Sequence, residues 1–298
     1  MALVQVLKEK FTNPVGLPQL ILIDEAITDN SGCLFLLDFN HKYNTDKLNN
    51  LAVPEGYGSK VQVDDIEPTW YNKSLLSSAI MTFSANNRAY DETYKLKALV
   101  SKSSKNSLVF QVYKGGTETF SDMGKLVGKQ GFCFNIPGLA EYIKNNPNNE
   151  IVVTALLNIK TVNDVGVGLG IVNTSNFNAT WAAHVCLRIT KDTNKIGKNI
   201  YVSDSTGKSS SVSNFHIDIG AMLNSNGGFL FKNSTTPQKI DIALSRIRVD
   251  DITVSGKTRS EIQTQETEIM NKLYAEGGRK YEETWSNYDT AFSDVINL

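Results

Sequence analysis

Alternation of apolar and polar residues marks the segment KIDIALSRIRVDDITVSG, which begins at Lys239. Because successive side chains of a strand point to opposite faces, this period of two predicts a β-strand. From Thr258 onward the apolar spacing becomes helical, with Thr258 and Glu261 placed as a capping box. The pair Gly277–Gly278 forms a stop signal, so one helix is predicted to run to about Ala275 and a second helix to follow the glycines.

Short apolar runs separated by turn residues recur through the rest of the chain, at CLFLLDF, SAIMTFSA, YKLKALVSK, SLVFQVYK, GFCFNI, EIVVTALLNI, VGVGLGIV, AAHVCLRIT, KNIYVSD and NFHIDIG. Many short strands are typical of a sandwich or barrel, and the βαβ units that would indicate a parallel sheet are missing. One internal helix is predicted at GLAEYIKNN, after Pro137 and before Pro147. The predicted fold class is therefore mainly β, an antiparallel β-sandwich.

The same patterns divide the chain into three regions. Residues 1–19 contain NPVGLP ahead of the first strong apolar run, which predicts an extended N-terminal arm. Residues 20–257 are predicted to form the β-sandwich, with the polar stretch from His41 to Pro68 as a long surface excursion. Residues 258–298 form the predicted C-terminal helical tail.

The composition is typical of a folded protein without a strong overall electrostatic field. The 298 residues are 41% hydrophobic and 20% charged, and the formal net charge is -1. Disorder over most of the length is disfavoured, and no nucleic-acid partner is expected. No run is long enough to cross a bilayer, and Lys8, Glu9 and Lys10 interrupt the first apolar residues, so neither membrane insertion nor a signal peptide is expected.

Cysteine usage favours free thiols. Cys33, Cys133 and Cys186 are odd in number, widely spaced and set in apolar strand-like runs. No CxxC or Cys/His cluster supports a zinc site. Three buried, reduced cysteines are therefore predicted, with neither a disulfide nor a bound metal.

Known catalytic motifs are missing from the chain. It has no GxSxG elbow, no HExxH and no P-loop, and its histidines are His41, His184 and His216. His216 and Asp218 would share one strand face, but two ligands do not make a metal site, so a solvent-facing polar pair is the favoured interpretation. A non-enzymatic protein without a cofactor is expected, although paired-carboxylate glycoside hydrolysis stays open as a third option.

Glycines at every second position leave one face of a predicted strand without side chains. Gly166, Gly168 and Gly170 in VGVGLGIV would all point one way. A face without side chains invites close packing, so an aromatic side chain or a neighbouring subunit is expected to cover it, with a ligand ring as the less favoured occupant.

Two acidic pairs and one group of aromatic residues are candidate binding features. Asp64–Asp65 and Asp250–Asp251 are interpreted as solvated carboxylates at strand ends, with calcium binding left open. Aromatic residues near predicted loops could stack on sugar rings or close the sandwich core, and core closure is favoured. These candidate glycan contacts are Trp70, Tyr71, Trp181 and Tyr201.

An apolar stripe marks the end of the predicted tail. Its members follow an i, i+4, i+7, i+11, i+14 pattern, a narrow seam suited to helix packing. Burial on the chain's own body and burial on another subunit are equally open, because a terminal element is free to dock elsewhere. The residues of this candidate assembly interface are Tyr281, Trp285, Tyr288, Phe292 and Val295.

Two segments resemble known protein families. IALSRIRVDDITVSG looks like the last strand of carbohydrate-binding jelly-roll modules, in which an Asp-Asp pair sits between apolar strand residues. IPGLAEYIKNNPNNEIVVTALLNI looks like lectin-like domains of tailed-phage virion proteins. The combination of many strands, a leading arm and a terminal helical appendage also resembles phage structural proteins, which use such segments in assembly.

The resemblance to carbohydrate-binding modules implies that the antiparallel β-sandwich is jelly-roll-like. Together the resemblances imply two functions. The favoured one is a non-enzymatic structural component of a phage virion, in the tail, a fibre or the capsid exterior, made in the host cytoplasm. Such a component would form a homo-oligomer and contact other virion proteins through its arm and helical tail. The alternative is a carbohydrate-binding, lectin-like module for host-surface attachment, with a glycan as its ligand.

Overall fold

The computed structural model of the chain describes residues 32–40, 59–87, 96–114, 131–162, 167–173, 183–189, 196–203, 215–221 and 238–291. The predicted arm and the tail residues Phe292 and Val295 lie outside these ranges, as do Gly166 and Trp181.

The described residues form thirteen strands and four helices. The strands are β1 Cys33–Asp38, β2 Ser59–Ile66, β3 Trp70–Tyr71, β4 Met81–Asn87, β5 Leu96–Lys102, β6 Leu108–Lys114, β7 Gly131–Asn135, β8 Ile151–Val162, β9 Val167–Asn173, β10 Ala183–Ile189, β11 Gly197–Val202, β12 Phe215–Ala221 and β13 Gln238–Asp251. The helices are α1 Pro137–Asn145, α2 Ile252–Ser255, α3 Arg259–Tyr274 and α4 Tyr288–Ala291.

Two antiparallel sheets make up the body. The larger sheet runs β11-β8-β13-β1-β3, and β13 also pairs with β6, which pairs with β5. The smaller sheet runs β10-β9-β12-β7-β4-β2. Every recorded strand pair in the described residues is antiparallel. The predicted antiparallel β-sandwich is therefore confirmed.

The core lies between the sheets and contains a cluster of phenylalanine rings. Ring centroids of Phe83 and Phe134 are 5.3 Å apart, and those of Phe110 and Phe132 are 6.2 Å apart in an edge-to-face arrangement. The rings meet branched side chains from β13, whose inward positions shift from even to odd numbers between Leu244 and Ile247. A register shift between Leu244 and Arg246 accounts for this change, because the extra residue of a bulge restores the apolar face.

Several predicted elements match the structure closely. The internal helix is α1, and the first tail helix is α3, whose Thr258 and Glu261 form both hydrogen bonds of a capping box. The surface excursion is wrong in part, because β2 occupies its C-terminal end and pairs with β4. The strand was not recognised in the sequence VQVDDI, because the acidic pair interrupts the alternation of apolar and polar residues. The pair lies in a β-bulge, where Asp65 has a φ of 55°.

The second tail helix is wrong for residues 279–287. After α3 the chain turns at Gly277, where φ is +77°, and within the described residues regular helix returns at α4. Tyr281 and Trp285 therefore do not share a helix face. The physical reason is that the turn folds the chain back onto the body, where Lys280 becomes fully buried.

Candidate functional site

A buried layer of charged residues lies outside the core, on the outward face of the larger sheet. Arg246, Arg248 and Asp250 alternate with the core residues of β13, yet each is only 1% exposed. Helix α3 packs on the neighbouring strands β11 and β8, and its buried Glu266 reaches both arginines. The interpretation of Asp250–Asp251 as solvated carboxylates is therefore wrong. Both side chains are buried, because Asp250 pairs with Arg248 and Asp251 accepts hydrogen bonds from Tyr142 and Asn149.

The arginines and carboxylates of this layer neutralise one another. Arg246 Nε donates to Glu266 Oε2 at 2.7 Å, and Arg246 Nη1 lies 3.6 Å from Asp38 Oδ2. Arg248 forms a bidentate pair with Asp250, at 2.7 and 2.8 Å, and also reaches Glu266 at 3.3 Å. Such a layer is expensive to desolvate but strongly favours one arrangement of α3 on the sheet, because removal of one member leaves a buried charge.

A second polar cluster attaches the turn after α3. Lys280 Nζ donates to Ser107 Oγ at 2.7 Å and lies 3.5 Å from Glu283 Oε1. Tyr274 Oη donates to Glu283 Oε2 at 2.7 Å, and Ser107 Oγ also donates to Glu283. Burial lowers the pKa of Lys280, although Glu283 opposes the shift.

A lysine bonded to a serine is also the arrangement found in enzymes with a Ser-Lys nucleophile. The side chains of Lys280 and Glu283 are 0% exposed, and Ser107 is buried as well. A nucleophile needs access for its substrate. The cluster therefore acts as a structural attachment of the tail.

Trp285 also contacts the chain's own body. Its Nε1 donates to Asp241 Oδ1 at 2.7 Å, and Lys160 Nζ lies 3.8 Å from the centre of its ring. Burial raises the pKa of Asp241, and the Trp285 hydrogen bond opposes that shift. Tyr281 remains 38% exposed. The role of the stripe as an assembly interface stays a prediction, but its central residue is already engaged within the chain.

An open cleft lies between α1 and the loop after β3. Its volume is about 280 Å³. Hydroxyl, carboxamide and carboxylate groups share its lining with two aliphatic side chains, of which Val254 is 43% exposed. The lining residues are Ser74, Leu75, Ser77, Gly138, Glu141, Tyr142, Asn145, Asn146 and Val254.

One buried carboxylate joins the walls of this cleft. Asp251 accepts hydrogen bonds from Tyr142 Oη and Asn149 Nδ2, each at 2.7 Å, and from the backbone N–H of Val254 at 2.9 Å. Tyr142 belongs to α1 and Val254 to α2, so the carboxylate fixes two walls at once. Burial, followed by the hydrogen bond to Asp251, raises the pKa of the Tyr142 hydroxyl above its ordinary value.

The remaining wall depends on close backbone contact. A Cβ atom on Gly138 would lie 1.8 Å from the carbonyl oxygen of Ser78, so only glycine allows α1 to approach the loop this closely. The loop is shaped by Asn72, whose side chain accepts from the N–H of Ser74 at 3.0 Å and whose carbonyl accepts from the N–H of Leu76 at 2.8 Å. The cleft is thus a fixed feature of the backbone.

The three described candidate glycan contacts, Trp70, Tyr71 and Tyr201, do not form one platform. Trp70 packs on Cys33 and Leu36, whereas Tyr71 and Tyr201 pack against the main core. Tyr201 lies on β11 and the other two on β3, four strand spacings apart in the sheet, or about 19 Å. Core closure is thus what these described aromatic residues do, and glycan contact by any one of them stays a prediction.

Other predicted features are only partly described. Gly168 and Gly170 lie in β9, between β10 and β12, and close packing against them stays a prediction. Cys33 is a free, buried thiol whose pKa is raised by burial, and Cys133 and Cys186 lie in strands as predicted.

In the described part of the chain, no three His, Cys, Asp or Glu residues converge as metal ligands. Calcium binding by Asp64–Asp65 stays a prediction. No helix among the described residues has the length and apolarity to cross a bilayer.

The cleft residues were not identified from the sequence. The Asn145–Asn146 pair was visible at the end of the predicted helix, and Gly138 in its first turn was a sign of close packing. Neither signal shows which loop lies opposite. That contact joins residues more than sixty positions apart, as the hydrogen bond between Ser77 and Glu141 illustrates.

Comparisons with known proteins give only distant structural similarity. No protein-family model and no curated protein matches the chain. The CBM1 module of BiXyn10A in its apo form shares 6% identity over 73% of this chain and 97% of its own, with a TM-score of 0.30. The xylan-binding domain from CBM 22 shares 9% identity over 55% of this chain and 85% of its own, with a TM-score of 0.27. These neighbours are carbohydrate-binding modules with a β-sandwich fold, and at such TM-scores the similarity assigns neither a ligand nor a family to this chain.

Proposed function

We propose that the protein is a non-enzymatic carbohydrate-binding module and that the cleft beside α1 is its binding site. The observation that carries the proposal is the mixed lining of the cleft. Ser74, Ser77 and Asn145 are exposed and offer hydroxyl and carboxamide groups that donate and accept hydrogen bonds. Leu75 and Val254 offer apolar surface for the C–H face of a sugar ring.

The size and rigidity of the cleft fit a small sugar unit. A volume of about 280 Å³ lies just under the range of about 300 to 1,000 Å³ that holds drug-sized ligands. Because Asp251 and the Gly138 contact fix the walls, a ligand would meet polar groups already in position, which lowers the entropy lost on binding.

A glycan array with the full chain tests the proposal. We expect binding to at least one glycan class, and Asn145→Ala should weaken that binding about fivefold or more through loss of hydrogen bonds. Lys144→Ala is the matched control, because Lys144 is exposed on the same helix but does not line the cleft. An array without any bound glycan would contradict the function, and equal binding by Asn145→Ala would contradict the site.

Substitution of Trp70, one of the aromatic residues predicted from the sequence, tests whether the binding site lies on β3 instead of in the cleft. Trp70→Ala should leave glycan binding unchanged, because Trp70 packs on Cys33 and Leu36 and does not line the cleft. A loss of binding in this variant, with an unchanged melting temperature, would move the site from the cleft to β3.

A further inference from the structure

The cleft contains a carboxylate with no cation beside it. Glu141 is the one charged residue in its lining, and it is exposed on α1. Its Oε2 accepts a hydrogen bond from Ser77 Oγ at 3.2 Å. Within the described ranges it forms no ion pair, and Lys144, one turn further along α1, does not line the cleft.

Buried carboxylates beside the larger sheet are mostly neutralised. Asp38, Asp250, Glu266 and Glu283 each lie near an arginine or lysine, whereas Asp241 accepts a hydrogen bond from Trp285. Among the described residues Glu141 has neither kind of partner, so its negative charge remains available to a ligand in the cleft.

A second carboxylate, Asp251, is buried behind the cleft lining and strengthens the negative potential in the cleft. Asp251 is 0% exposed, and its oxygens accept from Tyr142, Asn149 and the N–H of Val254, none of which carries a positive charge. Tyr142 and Val254 themselves line the cleft. Because a buried charge is poorly screened, the field of Asp251 adds to that of Glu141 where a ligand would sit.

We propose that the cleft selects sugars that carry a primary ammonium group, such as 2-amino-2-deoxyhexose units, and that Glu141 determines this specificity. The inference rests on the proposed carbohydrate-binding function of the same cleft. The Glu141 carboxylate would accept a charge-assisted hydrogen bond from the ammonium group, while Ser74 and Asn145 bond the ring hydroxyls. A uronic acid would be repelled by the same two carboxylates.

Calorimetric titration of the full chain with four ligands tests this specificity. The ligands are oligosaccharides of β-1,4-linked glucosamine, the same oligosaccharides with N-acetylated amines, cello-oligosaccharides, and a lysine tripeptide that has the ammonium group without a sugar ring. At mildly acidic pH the amine is protonated and an ordinary carboxylate remains ionised. We expect the glucosamine oligosaccharides to bind about tenfold more tightly than either neutral sugar, as a charge-assisted hydrogen bond would provide.

Two variants separate specificity from general charge. Glu141→Gln should remove the tenfold preference while binding of the neutral sugars remains. Glu268→Gln removes the same charge from an exposed position on α3 and should keep the preference. Equal affinity for charged and neutral sugars in the unmodified protein would overturn the inference and leave the proposed function intact.

Two further outcomes distinguish failure of the proposed function from failure of the proposed specificity. If none of the three sugars binds and no other glycan does, the proposed function itself fails. If the lysine tripeptide binds as tightly as the glucosamine oligosaccharides, the cleft recognises an ammonium group alone, and the sugar specificity is overturned.

Discussion

Single residues show how strongly burial alters the chemistry that a sequence suggests. Arg246, Arg248 and Lys280 are among the largest fully buried side chains of the described residues, although such side chains usually stay in water. Each is accommodated by a carboxylate. Glu266 of α3 reaches both arginines, and Glu283 of the same turn lies beside Lys280. The sequence showed the charges but not all of their partners, since Arg246 and Glu266 are twenty positions apart and meet only when α3 packs on the larger sheet.

Lys102 provides a pH prediction at this scale. The side chain is half-buried at the end of β5, and burial lowers its pKa from 10.5 to about 8. With a depressed pKa in the folded state, the unfolded chain binds more protons between those values, so this residue makes stability rise with pH through that window. At neutral pH the full cost of the buried charge is present.

Lys102→Met should therefore be more stable than the unmodified protein near neutral pH, and this advantage should shrink as the pH rises above about 8. Urea unfolding at two pH values measures the change. Lys144→Met removes an exposed lysine and serves as the control for lost charge. An advantage that is the same at both pH values would contradict the pKa shift.

At the scale of elements, the turn after α3 depends on one buried ion pair. Lys280 and Glu283 are both fully buried, 3.5 Å apart, and they link the tail to Ser107 on the loop before β6. Helix α3 could be predicted because its capping box is local in sequence. The turn could not, because its stability comes from side chains in another part of the chain.

Lys280→Met should lower the free energy of unfolding by about 3 to 5 kcal/mol, because Glu283 is left as an uncompensated buried charge. The double variant Lys280→Met with Glu283→Gln should lose less, since neither group is then charged. Lys239→Met is the control, because Lys239 pairs with Asp289 at the surface, with side chains 37% and 68% exposed. Thermal or urea unfolding of all three variants measures the comparison. A double variant as unstable as the single one would show that the ion pair is not the source of the loss.

At the scale of the whole molecule, the described tail completes the β body. Glu266, Lys280 and Trp285 all contact the larger sheet or the loop before β6, and each satisfies a polar group there. The sequence alone left two outcomes open, burial on the chain's own body or on a neighbour. Assembly with other virion proteins and a phage origin stay predictions, and assembly no longer has Trp285 as a free anchor.

Deletion of Gly278–Leu298 should consequently destabilise the body strongly, because it removes the partners of Asp38, Ser107 and Asp241. Near-ultraviolet circular dichroism and urea unfolding measure stability, and light scattering measures self-association. Trp285→Ala should lower stability by about 2 kcal/mol or more through lost burial and the lost hydrogen bond to Asp241. A truncated chain that stays fully stable but no longer self-associates would restore the assembly function.

Local patterns in the sequence determined the class of the fold and most of its elements. Period-two alternation predicts β13, the capping box predicts α3, and the prolines at either end predict α1. These features are readable because each depends on residues within a few positions of one another. The antiparallel sandwich follows from the number of such strands and from the missing crossover helices.

Only the tertiary structure decided which faces are buried and where the cleft lies. From the sequence alone the polar face of β13 would be solvated, yet Glu266 of α3 joins its arginines in a buried network of charges. The cleft arises because Gly138 lets α1 touch the loop at Ser78 and because Asp251 ties α1 to α2. Both features depend on contacts between segments that are distant in sequence. A local pattern along the chain does not specify which distant segments will come into contact.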